Sequence, residues 1–300
     1  MNGCKTIKIC CITYNLKQKS LSEDEINTFL SPHKQNNFDI YAIATQECER
    51  YTIFNIFYDN KSSFEQKLQY FLGEEFYILK SITLAGIHLI IFAKKKHESF
   101  IKDCSNNYIK TGFYGLFGNK GAVSIYFKIY DISFLFVNCH FIKGKENIND
   151  RNVDSSYIYK SIHPRIDKVN NIIWLGCLNY KVDAKLDVFT DAYIKGKEMD
   201  LLENDQMIKE RKNNNDEFIY KDFIEGEINF LPSSKYDIET NKIDWTDKDN
   251  YPGWTDRIFY KINKKATDNY SLDLIKYDSM NNICFSDHKP VYGYFHLNYK

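Results

Sequence analysis

Long apolar runs are missing from this 300-residue chain: nothing approaches the roughly 18 consecutive apolar residues that a membrane-spanning helix needs. The N-terminal segment MNGCKTIKICCITYNL lacks the apolar core and small-residue cleavage site of a secretory leader, and the ending HLNYK is no prenylation box. Any membrane contact is therefore expected to be peripheral. Net charge is missing too, since 40 Lys+Arg balance 40 Asp+Glu. That removes the general electrostatic case for a nucleic-acid binder and obliges an anionic substrate to find a local basic pocket. With 5 prolines and 13 glycines there is no linker-like stretch, so residues 1–300 read as one α/β domain able to bury a large core. The eight cysteines, Cys4, Cys10, Cys11, Cys48, Cys104, Cys139, Cys177 and Cys284, form no CxxC pair and mostly sit in apolar runs. They read as reduced, buried thiols of a cytoplasmic protein. No repeat of fixed period is present.

What the chain has in quantity is short apolar, β-branched or aromatic runs: Ile7–Tyr14, Ile40–Thr45, Ile87–Ala93, Ala122–Ile129, Phe134–His140, Ile172–Leu175, Arg257–Tyr260 and Val291–Leu297. Their length predicts strands. Helical patterns are fewer: Glu23–Leu30 after a Ser22 cap, Phe64–Leu72 and Met199–Lys212. A strand-rich chain with interspersed helices points to two stacked sheets flanked by helices. Asn15, Glu47, His140 and Asn179 each follow or close an apolar run, where a scaffold usually gathers its chemistry.

Hydrolysis of a phosphate monoester requires a cation, donors for the phosphoryl oxygens and a group that positions water. Glu47, in ATQE, is the kind of lone carboxylate that holds Mg²⁺, although a glutamate ending a strand is as well explained as a solvated end. His140 closes FLFVNCH and His288 sits in SDHKP; each alone reads equally as a structural histidine. Asp287, and Asp256 in GWTDRIF, are carboxylates able to hold an imidazole in one tautomer and favour its charged form.

In TGFYGLFGNKGA, glycines recur every three residues around Asn119 and Lys120, a spacing that lets backbone amides approach an anion or that forms a tight hairpin. Its Phe113, Tyr114, Leu116 and Phe117 are either core plugs or a membrane-facing tip. Lys143, Lys145, Arg151, Lys181, Lys235 and Arg257 are candidates for the basic pocket. Arginine, with only five in the chain, is the better bidentate phosphate partner.

Taken together and in order, TYNL, ATQE, LAGIHLIIF, TGFYGLFGNKGA, FVNCHF, DRNVD, WLGCLNYK, FLPSSKYD, PGWTDRIF and SDHKPV resemble the blocks of the inositol polyphosphate 5-phosphatase catalytic domain, within the endonuclease, exonuclease and phosphatase superfamily. The resemblance covers nearly the whole chain. It implies a DNase I-like four-layer sandwich of two mixed sheets, Mg²⁺ as cofactor, and a phosphoinositide lipid or soluble inositol polyphosphate as substrate, at the cytosolic face of membranes or free in the cytoplasm. By residue, it implies Glu47 and Asn15 at the metal and His140 and His288 on the phosphoryl oxygens. Asp256 would orient His288, Asp287 would lie on the metal side, and Asn179 would fix the water. Asn119, Lys120, Arg151, Lys181, Lys235 and Arg257 would face the substrate, and the Phe113–Phe117 tip the lipid.

Three positions depart from the family pattern. Cys177 stands where the family has the Asp that activates water, Ser234 where it usually has Tyr, and Asn250 and Tyr251 occupy a segment it usually makes basic. A thiol with a reference pKa of about 8.5 is mostly protonated at neutral pH, and loss of a general base typically costs roughly 10²- to 10⁴-fold in rate. The readings are therefore a 5-phosphatase of reduced activity, an inactive phosphoinositide-binding relative, or another phosphodiesterase of the superfamily.

Overall fold

A computed structural model describes residues 4–48, 60–112, 117–163, 166–213, 217–238, 240–245, 252–263 and 269–300. The elements run β1 (Lys5–Asn15), α1 (Glu23–Lys34), β2 (Ile40–Gln46), α2 (Asn60–Leu72), β3 (Phe76–Leu84), β4 (Ile87–Lys94), β5 (Ile101–Thr111), β6 (Phe117–Ile129), β7 (Ile132–His140), α3 (Ile148–Ser161), β8 (Asn171–Cys177), α4 (Leu186–Ile194), α5 (Gln206–Lys212), β9 (Ile224–Glu225), β10 (Asp256–Ile262), β11 (Tyr270–Ser279) and β12 (Val291–Tyr299). They build two six-stranded sheets, ordered β11-β12-β1-β2-β4-β3 and β5-β6-β7-β8-β10-β9. Each sheet has one parallel pair at its centre, β1 with β2 and β7 with β8, while the described neighbours around them are antiparallel.

The continuous apolar runs have a simple cause: the central strands are buried on both faces. In β1, Ile7, Ile9 and Cys11 point between the sheets, whereas Cys10, Ile12 and Tyr14 point outward to the layer containing α1. In β8, Ile173 and Leu175 point inward, and Ile172 and Trp174 pack on the outer layer with Ile158 of α3. The strands thus supply a central apolar layer and the inner sides of two helical ones, giving the expected two mixed sheets flanked by helices. Ser22 caps α1, its side chain accepting from the Glu25 amide while Glu25 reaches back to the Ser22 amide.

Two sequence expectations change. The helix expected at Met199–Lys212 is divided into a 3-10 segment, Glu198–Asn204, and α5. Asp205 takes extended backbone between them and caps α5 by accepting from the Ile208 amide. α3 was not expected at all, because it carries no apolar stripe: it buries Arg151 and Ser155 while Val153 and Tyr157 are exposed. The Phe113–Leu116 tip and the Asn250–Tyr251 segment lie outside the described residues, and the side chain of Phe117 is likewise undescribed. No helix among the described residues is long and apolar enough to cross a membrane.

Candidate active site

Strand direction gathers the site. β1, β2, β7 and β8 all end at one edge of the sandwich, at Asn15, Gln46, His140 and Cys177, and the antiparallel β10 and β12 begin there, at Asp256 and just after His288. Strand alternation then decides orientation. Asn15, His140, Cys177 and Asp256 share the parity of the inward-facing Cys11, Phe136, Leu175 and Ile258 of their own strands, so they meet at the open end of the inter-sheet layer. Across neighbouring strands His140 is in register with Cys177, and Cys177 with Asp256. Gly176, at φ +143°, allows this close approach, because a Cβ there would lie 2.1 Å from the Cys139 carbonyl oxygen.

A buried amide bridge holds the two sheets together beneath the site. Gln46 donates to Thr13 Oγ1 (3.0 Å) and to Asn138 Oδ1 (2.7 Å), and Asn138 donates to the carbonyls of Thr45 (3.0 Å) and His88 (2.8 Å). Gln46 and Asn138 lie one and two residues from Glu47 and His140, so the bridge fixes how far apart those two stand. Sequence reasoning missed both. A polar residue of inward parity inside an otherwise apolar strand was the available signal.

Above this floor opens a cleft of about 770 Å³ lined by Asn15, Lys17, Glu47, Asn119, Lys120, His140, Lys143, Asn179, Lys181, Asp287 and His288 together with Asp150, Val153 and Asp154 of α3. Glu47 has a left-handed backbone (φ 45°), as do Lys17, Gln18 and Asn179. For a glutamate this conformation is costly and persists only where surroundings enforce it; here the Gln18 amide donates to the Glu47 carbonyl (2.6 Å). Asn15 donates to Glu47 Oε1 (3.3 Å) while its own Oδ1 accepts from the Lys17 amide (3.0 Å). As placed, Asn15 steadies Glu47. Among the described residues, the Glu47 carboxylate has this long bond and His140 Nε2 at 3.6 Å as its partners and lines the cleft, a hard-oxygen donor of the type that holds Mg²⁺ or Ca²⁺.

The two histidines are shifted in opposite directions. His288 Nδ1 donates to Asp256 Oδ2 (2.7 Å), which also accepts from Ser233 (2.8 Å) and Thr255 (2.9 Å). Burial works to lower the His288 pKa, but Asp256, with Asp287 adding to it, more than offsets that and the net shift is upward. His140 is pushed well down, by burial first and then by Lys120 and His288. Lys120 Nζ stands 2.7 Å from His140 Nε2 and is itself lowered to about 8, chiefly by burial. Asp287 is held below the usual carboxylate range: burial opposes this, but His288 and Lys17, whose Nζ is 3.0 Å away, prevail. Cys177 lies fully buried behind the cleft, and burial, reinforced by Asp256, pushes its thiol pKa well up. Asn179 donates to the Phe141 carbonyl (2.8 Å), leaving its side-chain oxygen as an acceptor.

Two substrate-binding assignments are corrected. Arg257 alternates with Asp256 and so points outward; it is fully buried and bonded to Glu225 (Nη2 to Oε2, 2.7 Å) and Asp205 (3.0 Å). Arg151 is also fully buried, donating to the carbonyls of Ile142 (3.2 Å) and Gly144 (2.7 Å) and to Gln206 (2.8 Å). Both guanidinium groups serve the scaffold. Lys235 is not among the lining residues and pairs with Asp244 (3.1 Å), although its charge helps to lower the Asp287 pKa. Ser234 is buried, its hydroxyl 2.9 Å from Thr255 Oγ1. Asp183, the first carboxylate after Asn179, is tied to Gln206 and Lys209.

Residues 12–294 match the family model for Endonuclease/Exonuclease/phosphatase family 2. The chain is 29% identical over 284 residues to the type IV inositol polyphosphate 5-phosphatase 11 of Arabidopsis thaliana, covering 93% of this chain and 79% of that protein. It is 32% identical over 253 residues to synaptojanin-2 of Homo sapiens, covering 80% of this chain and only 16% of that longer protein. Among solved structures it superposes on the inositol polyphosphate 5-phosphatase domain of SPsynaptojanin, in complex with inositol (1,4)-bisphosphate and calcium, with a TM-score of 0.85 and 28% identity over 99% of this chain and 86% of that one. A Cimex nitrophorin shares the fold at 18% identity (TM-score 0.78), a reminder that the scaffold alone does not fix chemistry. The chain therefore belongs to endonuclease/exonuclease/phosphatase family 2, with inositol polyphosphate 5-phosphatases among its relatives.

Proposed function

We propose that this chain is a Mg²⁺-dependent hydrolase of the 5-phosphate of phosphoinositides or soluble inositol polyphosphates, slowed because a neutral thiol occupies the water-activating position. The observation that carries the reading is the convergence of Glu47, His140, Asp287 and the Asp256–His288 pair on one cleft whose lining also includes Lys17, Lys120, Lys143 and Lys181. A cation at Glu47 would supply charge neutralisation for the transferring phosphoryl group. His288, charged through Asp256, donates to a phosphoryl oxygen; Lys120 and Lys181 balance the remaining charge; Asn179 accepts from the attacking water. No described carboxylate stands where Cys177 is, so that water keeps its proton until late in the reaction.

The burial that keeps Cys177 protonated also favours a second reading, a binding protein that grips inositol phosphates and does not turn them over. Phosphate release from a panel of phosphoinositides and inositol polyphosphates with Mg²⁺ separates the two. The expected result is slow release by the native chain and an increase of roughly 10²- to 10⁴-fold for Cys177→Asp, the range associated with a general base. No release by the native chain, with release by Cys177→Asp, would leave the binding reading standing.

A further inference from the structure

Cys177, Asp256 and His288 each offer one potential ligand atom, and these atoms all lie within 4.8 Å of one another. Sulfur and imidazole nitrogen together with one carboxylate oxygen make a zinc-type donor set, whereas magnesium favours oxygen ligands throughout. A second, independent observation points to the same spot. Asp256 is fully buried, and its Oδ1 has no hydrogen-bond partner among the described residues, whereas His288, Ser233 and Thr255 all bond to Oδ2. Oδ1 is thus able to accept a cation with the Ser233 and Thr255 bonds kept, and the His288 bond is kept as well where Nε2 is the ligating nitrogen.

We propose that Cys177, Asp256 and His288 form a site for a thiophilic divalent cation of the zinc class, distinct from the oxygen site at Glu47, with its fourth position open to the cleft that His288 lines. Tetrahedral bonds of about 2.0–2.3 Å need ligand separations of about 3.3–3.8 Å, which a group whose atoms all lie within 4.8 Å of one another reaches by small side-chain adjustments. On binding, a metal–sulfur bond replaces the Cys177 S–H bond and a metal–nitrogen bond replaces an N–H bond of the protonated His288 ring, so one proton leaves each group to solvent and His288 is then no longer a charged donor. Three protein ligands with one open position is the arrangement of catalytic zinc sites. The substitution that removes a carboxylate base thereby creates a soft-metal ligand set.

The test uses the full chain without substrate, so it reads independently of whether phosphate is released. Titration with Co²⁺ should give a near-ultraviolet sulfur-to-cobalt charge-transfer band saturating at one equivalent, with release of one proton from Cys177 and a second from His288 at a pH where its ring is protonated. Cys177→Ser should lose the band, whereas Cys284→Ser and Glu47→Gln should keep it. A band that survives in Cys177→Ser, or no band in the native chain, overturns the proposal. Should Cys177→Ser not fold by circular dichroism, X-ray absorption of the native chain with one equivalent of Zn²⁺ decides: one sulfur at about 2.3 Å is expected, and an all-oxygen-and-nitrogen shell overturns it.

Discussion

His288 is partly buried between carboxylates and His140 is buried beside a lysine, and these surroundings push the two imidazoles in opposite directions. Their surroundings favour the charged form of His288 and the neutral form of His140, a separation typical of paired titratable groups in active sites. Folding raises the His288 pKa, so the stabilisation from its pair with Asp256 is complete below the ordinary histidine value of about 6.5 and fades as pH rises through the folded value. The stability lost in Asp256→Asn should accordingly be larger at pH 6 than at pH 9, measured by urea denaturation. Equal losses at the two pH values would count against the ion pair. Most of these residues are legible in the sequence itself, because Asn15, Glu47, His140 and Asn179 stand where apolar runs stop. Charge is less so: the protonation tendency of each histidine depends on groups contributed by other strands.

At the scale of the element, strand parity explains both what could be read and what was misread. The run Arg257–Tyr260 was recognisable as a strand, yet placing Asp256 in the site already implies that Arg257 faces the other way. Arg257 meets Glu225 and Asp205 in a fully buried cluster. Removing one partner of such a cluster strands the others without compensation, at a typical cost of 3–5 kcal/mol. Arg257→Leu should therefore destabilise the fold by about that amount in chemical denaturation. A loss of substrate affinity with unchanged stability would restore the phosphate-binding role. α3 escaped notice for a different reason: its buried face is partly polar, with Arg151 and Ser155 inside and Val153 and Tyr157 outside, so it lacks the apolar periodicity by which helices are recognised.

For the molecule as a whole, formal neutrality sharpens the question of how a polyanion is held. The cleft brings Lys17, Lys120, Lys143, Lys181 and His288 to one open edge of the sandwich with Glu47, Asp150, Asp154 and Asp287 among them, so cation and phosphate should bind with mutual support. Sequence separation hides this assembly, since strand ends more than a hundred residues apart meet only through the pairing order of the two sheets. A ligand that binds only the folded chain stabilises it by about 2.7 kcal/mol at a hundredfold excess over its dissociation constant. Inositol (1,4)-bisphosphate, the ligand bound in the SPsynaptojanin domain, has no 5-phosphate to lose and so reports grip without turnover. In thermal unfolding, Mg²⁺ and the bisphosphate together should raise the melting temperature of the native chain by more than the sum of their separate shifts, and Glu47→Gln should abolish that excess while keeping part of the bisphosphate's own shift. Additive shifts in the native chain would mean that Glu47 and the lysines act as two unconnected sites, and the phosphate would then have to be held away from the metal.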